Sequence, residues 1–214
     1  MSEPVSSADL AALLSARLCH DLIGPVGATI SAVSVFDDPD AADMRDDAIA
    51  LIRESAEKSR ARLEFCRLAF GAGGSAPGVI ELASLQRLTG DMYAGSKAGV
   101  VWKVEGGGLE KRAARVLLNL ILIAMESAPR GGEVRIEASE SAGETRLRVT
   151  TAGPRAKLLP AAADALTGQA PEGGFDGRSI QPYYIYLIIQ EVGGRVDAQT
   201  SEDRVELTAL VPGA

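Results

Sequence analysis

Two long helical patterns, residues 7–36 and 41–70, are separated only by the breaker Asp37-Asp38-Pro39-Asp40. In the first, Ser6 or Ser7 can cap the start, Asp9 suits the first turn, and Leu10, Leu14, Leu18, Leu22, Ile30 and Val33 recur at helical spacing. In the second, Met44, Ala48, Leu51, Ile52, Leu63, Cys66 and Phe70 form the apolar side. Two such helices on so short a turn pack as an antiparallel hairpin. One hairpin cannot cover the apolar faces of both helices. Pairing two hairpins about a twofold axis does, so the sequence predicts a homodimer built on a four-helix bundle. Pro25 lies inside the first helix and removes a backbone donor, which predicts a kink just after His20.

Gly71-Ala72-Gly73-Gly74-Ser75-Ala76-Pro77-Gly78 reads as a flexible linker, dividing a helical unit over 1–72 from a second domain over 79–214, with 73–78 between. That second part alternates helical and strand patterns. Helices are expected at 81–92, 110–127, 157–166 and 180–192, and strands at 99–104, 133–139, 145–151, 195–200 and 204–211. A Gly-rich stretch covers 168–177. Helices gathered on one face of a mostly antiparallel sheet make an α/β sandwich.

The charge balance of 22 Lys and Arg against 29 Asp and Glu leaves a net −7, which argues against nucleic acid or an anionic membrane as partner. No uninterrupted apolar run approaches the ~18 residues of a membrane span. Residues 1–9 lack the basic and apolar regions of a signal peptide, so a cytoplasmic protein is expected. Cys19, Cys66 and a single histidine supply no metal-ligand spacing, and both cysteines are expected to be small buried hydrophobes.

That histidine, His20, sits in Arg17-Leu18-Cys19-His20-Asp21-Leu22-Ile23-Gly24-Pro25. A neutral imidazole is a usable nucleophile near pH 7. Asp21 either fixes its tautomer by accepting a hydrogen bond from the far ring nitrogen or serves a neighbouring helix or a partner, since successive helical residues point about 100° apart.

A His-Asp-x-x-x-Pro on a helical hairpin, followed by a small α/β domain, resembles the transmitter module of bacterial sensor histidine kinases. The second half resembles their ATP-binding domain, the Bergerat fold shared with gyrase-type ATPases. Asn119-Leu120-Ile121-Leu122-Ile123-Ala124-Met125-Glu126-Ser127-Ala128-Pro129-Arg130-Gly131-Gly132 follows the kinase N-box, but Ile123 stands where kinases place the asparagine that holds magnesium. Thr151-Ala152-Gly153-Pro154-Arg155 replaces the adenine-reading Asp-x-Gly-x-Gly. Asp176-Gly177-Arg178-Ser179 stands where a glycine-rich helix start would cradle phosphates. Three nucleotide determinants are missing from an otherwise matching scaffold.

Such a chain is similar to the ChpT-type histidine phosphotransferases of alphaproteobacteria, as Ala16-Arg17-Leu18-Cys19-His20-Asp21, Asp43-Met44-Arg45-Asp46-Asp47-Ala48 and Phe70-Gly71-Ala72 also suggest. The resemblance implies a dimer that relays a phosphoryl group through His20, without ATP or autophosphorylation. The donor would be the receiver domain of a hybrid kinase, and the acceptors response-regulator receivers that bring their own Mg2+ and lysine. The chain itself would need no cofactor and no metal.

Gly24, Gly27 and Ser31 lie below His20 on its own face, and all are small. They either admit a receiver helix or pack tightly against helix two or the dimer partner. The turn places His20 level with about Glu57, so Arg53, Glu57 and Arg60 either contact a receiver or form a solvated face, and Arg17 is a further docking candidate. Tyr183, Tyr184 and Tyr186 read as core and helix surface, or as a receiver-facing patch. Two other functions fit the same chain. A kinase with a divergent ATP site is opposed by Ile123 and Thr151, whereas an inert receiver-docking adaptor would keep its function in His20→Ala.

Overall fold

The computed structural model describes residues 5–71 and 78–213, so the expected linker falls almost wholly outside it. Helix α1 (Ser7–Val33) starts at Ser6, whose hydroxyl oxygen accepts the Asp9 N–H at 3.1 Å while its own proton goes to the Asp9 carboxylate at 2.6 Å. The helix stays helical through Pro25 and tightens into a 3-10 turn at Ser34–Asp37. A second 3-10 segment, Pro39–Met44, leads into α2 (Arg45–Ala69). Asp38 caps that segment, its carboxylate taking the Asp40 N–H at 2.9 Å. The breaker read from sequence is thus the middle of a longer connection, because Pro39 fits only the first turn of a helix.

The hairpin is unevenly buried. Phe65, Cys66 and Ala69 at the far end of α2 are covered, whereas Ile23, Val26, Ile30, Val33, Phe36, Met44, Ile49, Leu51 and Leu63 are exposed. Leu18, Leu22, Leu63, Cys66 and Phe70 also line an open apolar hollow of about 390 Å3 between the helices. Contrary to the expectation that nothing in the chain would pass as a membrane span, Ser7–Asp37 is long and apolar enough by length and composition. The charged residues Arg17 and Asp21 interrupt any continuous run, yet a long average over this stretch still comes out apolar. A helix that leaves its apolar side uncovered in one copy of the chain has that composition.

The rest is a five-stranded sheet with helices on one face. In chain order come β1 (Val79–Glu81), α3 (Leu82–Met92), β2 (Ala98–Trp102), β3 (Gly108–Glu110) and α4 (Lys111–Glu126). Then follow β4 (Gly132–Ser141), β5 (Glu144–Ala152), α5 (Pro160–Leu166), α6 (Ile180–Glu191), β6 (Arg195–Ser201) and β7 (Arg204–Pro212). Strand order is β2-β4-β5-β7-β6, antiparallel except for β2 against β4. The pair β1 and β3 forms a separate two-stranded ribbon that the sequence did not announce, since three residues are too few to show alternation.

The register carries Ile136, Val149 and Leu207 across neighbouring strands, all fully buried. Helix α4 lies over that face with every residue from Val116 to Ala124 buried. The Pro-x-Gly-Gly turn after it needs both glycines. Gly131 and Gly132 have φ of +89° and +131°, and a β-carbon on Gly132 would overlap the Ala152 carbonyl oxygen.

The end of the hairpin is part of this core. Phe65 and Ala69 pack in the same cluster as α4. The buried Asn119 amide donates to the Ala69 carbonyl at 2.7 Å and to the Arg115 carbonyl at 2.9 Å, while its oxygen accepts from Gln181 at 2.9 Å. Tyr183 is buried, tilted against Phe175 (4.4 Å between ring centres) and stacked on Tyr186 (5.9 Å), beside Leu10, Leu13 and Leu14 of α1. The Tyr184 hydroxyl donates to the Phe70 carbonyl at 3.2 Å. The three tyrosines therefore fasten α6 to the hairpin.

Candidate functional site

His20 stands on the outer side of α1 with its side chain 83% exposed. Its Nδ1 lies 3.4 Å from Asp21 Oδ1, within reach but longer than a well-formed hydrogen bond. The neighbours expected to be small leave open space: nothing approaches within 4 Å of where a β-carbon on Gly24 or Gly27 would lie. Tight packing of these glycines against α2 is therefore not what the chain uses them for. Ser31 is exposed on the same helix.

Asp21 is the hub. Its Oδ2 accepts from Arg17 Nε at 3.0 Å, and its Oδ1 faces the imidazole. Its backbone carbonyl is the one that Pro25 leaves without a donor, because the residue four positions on has no N–H. The Arg62 guanidinium of α2 fills that vacancy at 2.6 Å. Sequence reasoning looked level with His20, at Glu57 and Arg60. A helical side chain leans toward the N-terminus of its own helix, so the residue that reaches this level lies further along. The signal available in the sequence was Pro25 itself, which demands a foreign donor for one carbonyl.

Arg17, a docking candidate from sequence, is turned inward with 11% of its side chain exposed. Besides Asp21 it binds the Glu126 carboxylate at the end of α4 and donates to the Gly177 carbonyl at 3.0 Å. Burial alone would lower its pKa, but the carboxylates of Glu126 and Asp21 outweigh that and raise it above the ordinary arginine value. Arg53, Glu57 and Arg60 are exposed on α2, and Arg60 is paired along its helix with Glu64 at 2.9 Å. Cys19 is exposed, contrary to expectation, because it shares the outward side of α1 with His20; Cys66 is buried.

The α/β domain closes one side of the site. A cleft of about 560 Å3 is lined by Arg17, His20, Asp21, Glu126, Asp176 and Arg178, among others. Asp176 shapes its far wall. Its carboxylate accepts the N–H groups of Ser179 (2.8 Å) and Arg178 (2.9 Å), bonds that hold it below the usual carboxylate range.

The positions that resemble nucleotide motifs are engaged elsewhere. Ile123 is buried in the core, and the buried Thr151 hydroxyl donates to the Ala124 carbonyl at 2.8 Å. Arg155, where the kinase motif has its second glycine, has a left-handed backbone (φ 61°), its N–H held by Asp203 at 2.6 Å. Among the described residues no cluster of three or more His, Cys, Asp or Glu could hold a metal ion.

Comparison with known proteins agrees with this architecture. Residues 82–204 match the family model described as the histidine phosphotransferase C-terminal domain. The chain is 36% identical over 208 residues to protein phosphotransferase ChpT of Brucella abortus (strain 2308), covering 96% of this chain and 98% of that one. A solved bacterial phosphotransferase superposes with a TM-score of 0.85 at 31% identity, covering 97% and 98% of the two chains. Full-length ShkA in complex with AMPPNP shares the fold at a TM-score of 0.51 and 19% identity, over 98% of this chain and 46% of that one. With its fold and nearly its whole length matched in this way, the chain belongs to the histidine phosphotransferase family.

Proposed function

We propose that His20 is the residue through which this phosphorelay histidine phosphotransferase carries a phosphoryl group between receiver-domain aspartates. The observation that carries the proposal is the only histidine of the chain, exposed beside an open face of small residues, with a carboxylate at Nδ1. A neutral imidazole with its proton on Nδ1, facing Asp21, leaves the Nε2 lone pair free. Nε2 forms a bond to phosphorus as the acyl phosphate's P–O bond breaks and the receiver carboxylate leaves. The imidazole then carries a positive charge, which the Asp21 carboxylate offsets. Running the same steps backward hands the group to a second receiver. Transfer of this kind depends mainly on in-line positioning and charge neutralisation, and the receiver supplies the Mg2+.

The domain over 79–214 would do this without nucleotide. Ile123 offers no oxygen to magnesium, and the Thr151 hydroxyl is spent on a backbone carbonyl, so the residues present do not fit ATP. The unit over 1–72 would dimerise. Ile23, Val26, Ile30 and Val33 form an uncovered apolar stripe on α1, which a second hairpin covers. The donor would be a hybrid-kinase receiver and the acceptors response-regulator receivers, all in the cytoplasm.

The test is transfer of radiolabelled phosphate to the wild type and to His20→Ala, from a phosphorylated receiver and, separately, from ATP. Acid-labile label taken from the receiver only, and lost in His20→Ala, is the expected result. Label taken from ATP would make the chain a kinase. Full function of His20→Ala would leave only an adaptor.

A further inference from the structure

Glu126 makes an ion pair that the transfer chemistry above does not use. It ends α4, in the domain whose nucleotide motifs are lost, yet its carboxylate reaches α1 and holds Arg17. Arg17 lies one turn before His20 and holds Asp21 Oδ2 at 3.0 Å. With Oδ2 occupied, only Oδ1 faces the imidazole, at its Nδ1. The guanidinium is nearly covered and is pinned from a third side by the Gly177 carbonyl at 3.0 Å, so it has little freedom to turn away.

We propose that Glu126 is a positioning residue for His20, acting through Arg17 and Asp21 to keep Nδ1 occupied and Nε2 free to react. This rests on His20 as the phosphoacceptor. On this reading the α/β domain keeps a role in the reaction after losing nucleotide. It no longer delivers a phosphate; it sets which imidazole nitrogen receives one. Removing the Glu126 charge frees Arg17 to draw Asp21 away from the ring. Both nitrogens then compete, and the charge that develops on the imidazole loses its nearest counter-charge.

The proposal is tested on the full chain with phosphoramidate, a small phosphodonor that needs no receiver docking. Uptake is followed with time, and 31P spectra separate the Nδ1 from the Nε2 phosphohistidine. The imidazole tautomer is read independently from ring 15N shifts, with no phosphate present. The wild type should give chiefly the Nε2 product and the Nδ1–H tautomer. Glu126→Gln should slow uptake roughly three- to tenfold, the size expected of a contact one step removed, and raise the share of Nδ1 product. Glu126→Asp, which keeps the charge, should restore most of the isomer ratio.

In an Asp21→Asn background Glu126→Gln should change neither rate nor ratio, because its route to the ring is already cut. A Glu126→Gln chain with wild-type tautomer and isomer ratio overturns the proposal. So does an equal effect in the Asp21→Asn background, since that would mean Glu126 acts by holding the fold. Failure of the wild type to take phosphate from any receiver would instead overturn the reading of His20, while the tautomer measurement still reports on the Glu126 contact.

Discussion

Helix α4 and helix α1 are both apolar, but they spend that character in opposite ways. Helix α4 has 16 residues and buries every one from Val116 to Ala124 against the sheet and the end of the hairpin. Helix α1 has 27 and buries one, Ala32. The first is specified entirely by packing inside its own chain. The second leaves Ile23, Val26, Ile30 and Val33 uncovered, and keeps His20 and two glycines open on its surface. Burial is thus concentrated around α4 and the sheet, and the proposed phosphoacceptor sits where little is buried. Docking and exchange need a surface that is not already filled, whereas a core needs the reverse.

The strongest way to break that comparison is to cut into each helix in turn. Leu118→Ala, at a fully buried position of α4, should cost about 2–5 kcal/mol in urea unfolding. Ile30→Glu, on the exposed stripe of α1, should change unfolding of the α/β domain by no more than about 0.5 kcal/mol. Its effect should appear in sedimentation, as a shift from dimer to monomer. If Ile30→Glu stays dimeric, the stripe has another purpose; if it unfolds the whole chain, α1 and the core are one unit and the contrast is wrong.

A finer division runs through the single carbonyl of Asp21, where the hairpin depends on its own second helix. Pro25→Ala restores a backbone donor to that carbonyl and should stabilise the chain by about 1–3 kcal/mol, the size of proline's penalty inside a helix. Arg62→Ala should cost about 1–3 kcal/mol in the wild type, where it strips the carbonyl of its donor. In the Pro25→Ala background the same change should cost well under half as much, because the helix then supplies the donor. Equal costs in the two backgrounds would show that Arg62 acts through something other than the carbonyl that Pro25 exposes.

How much of this was legible in the sequence follows the same division. Periodicity exposed the hairpin, the order of the α/β elements and the uncovered apolar side, because those depend on which residues recur along one element. The two-stranded ribbon of β1 and β3 was too short to show a pattern. Helix α1 runs through Pro25 without a break in its helical assignment, and Arg62 answers the free carbonyl from outside. His20 and Asp21 could be singled out by residue type. That Arg17 would be drawn inward by Glu126, 109 positions away, could not, because nothing in the local sequence of either residue marks the other. The open space beside Gly24 and Gly27 was likewise undecided until α2 was in place.

The smallest expected effect separates the two cysteines, which sequence treated alike. Cys19 is exposed and Cys66 is buried, with burial pushing its thiol up to about 11. At about pH 8 a soluble alkylating reagent should label the native chain at Cys19, and reach Cys66 only on unfolding. The raised thiol also has a sign in the stability profile. Unfolded Cys66 ionises near the ordinary value of about 8.5, before the folded one does, so the unfolded state sheds its proton first. Whatever stability this contributes is intact below that range and is lost as pH rises toward 11. By about pH 9.5 the loss should be on the order of 1 kcal/mol. Cys66→Ala should remove that part of the alkaline slope while Cys19→Ala leaves it unchanged. Equal slopes in all three chains would place the alkaline sensitivity in other groups and make Cys66 a bystander in the core.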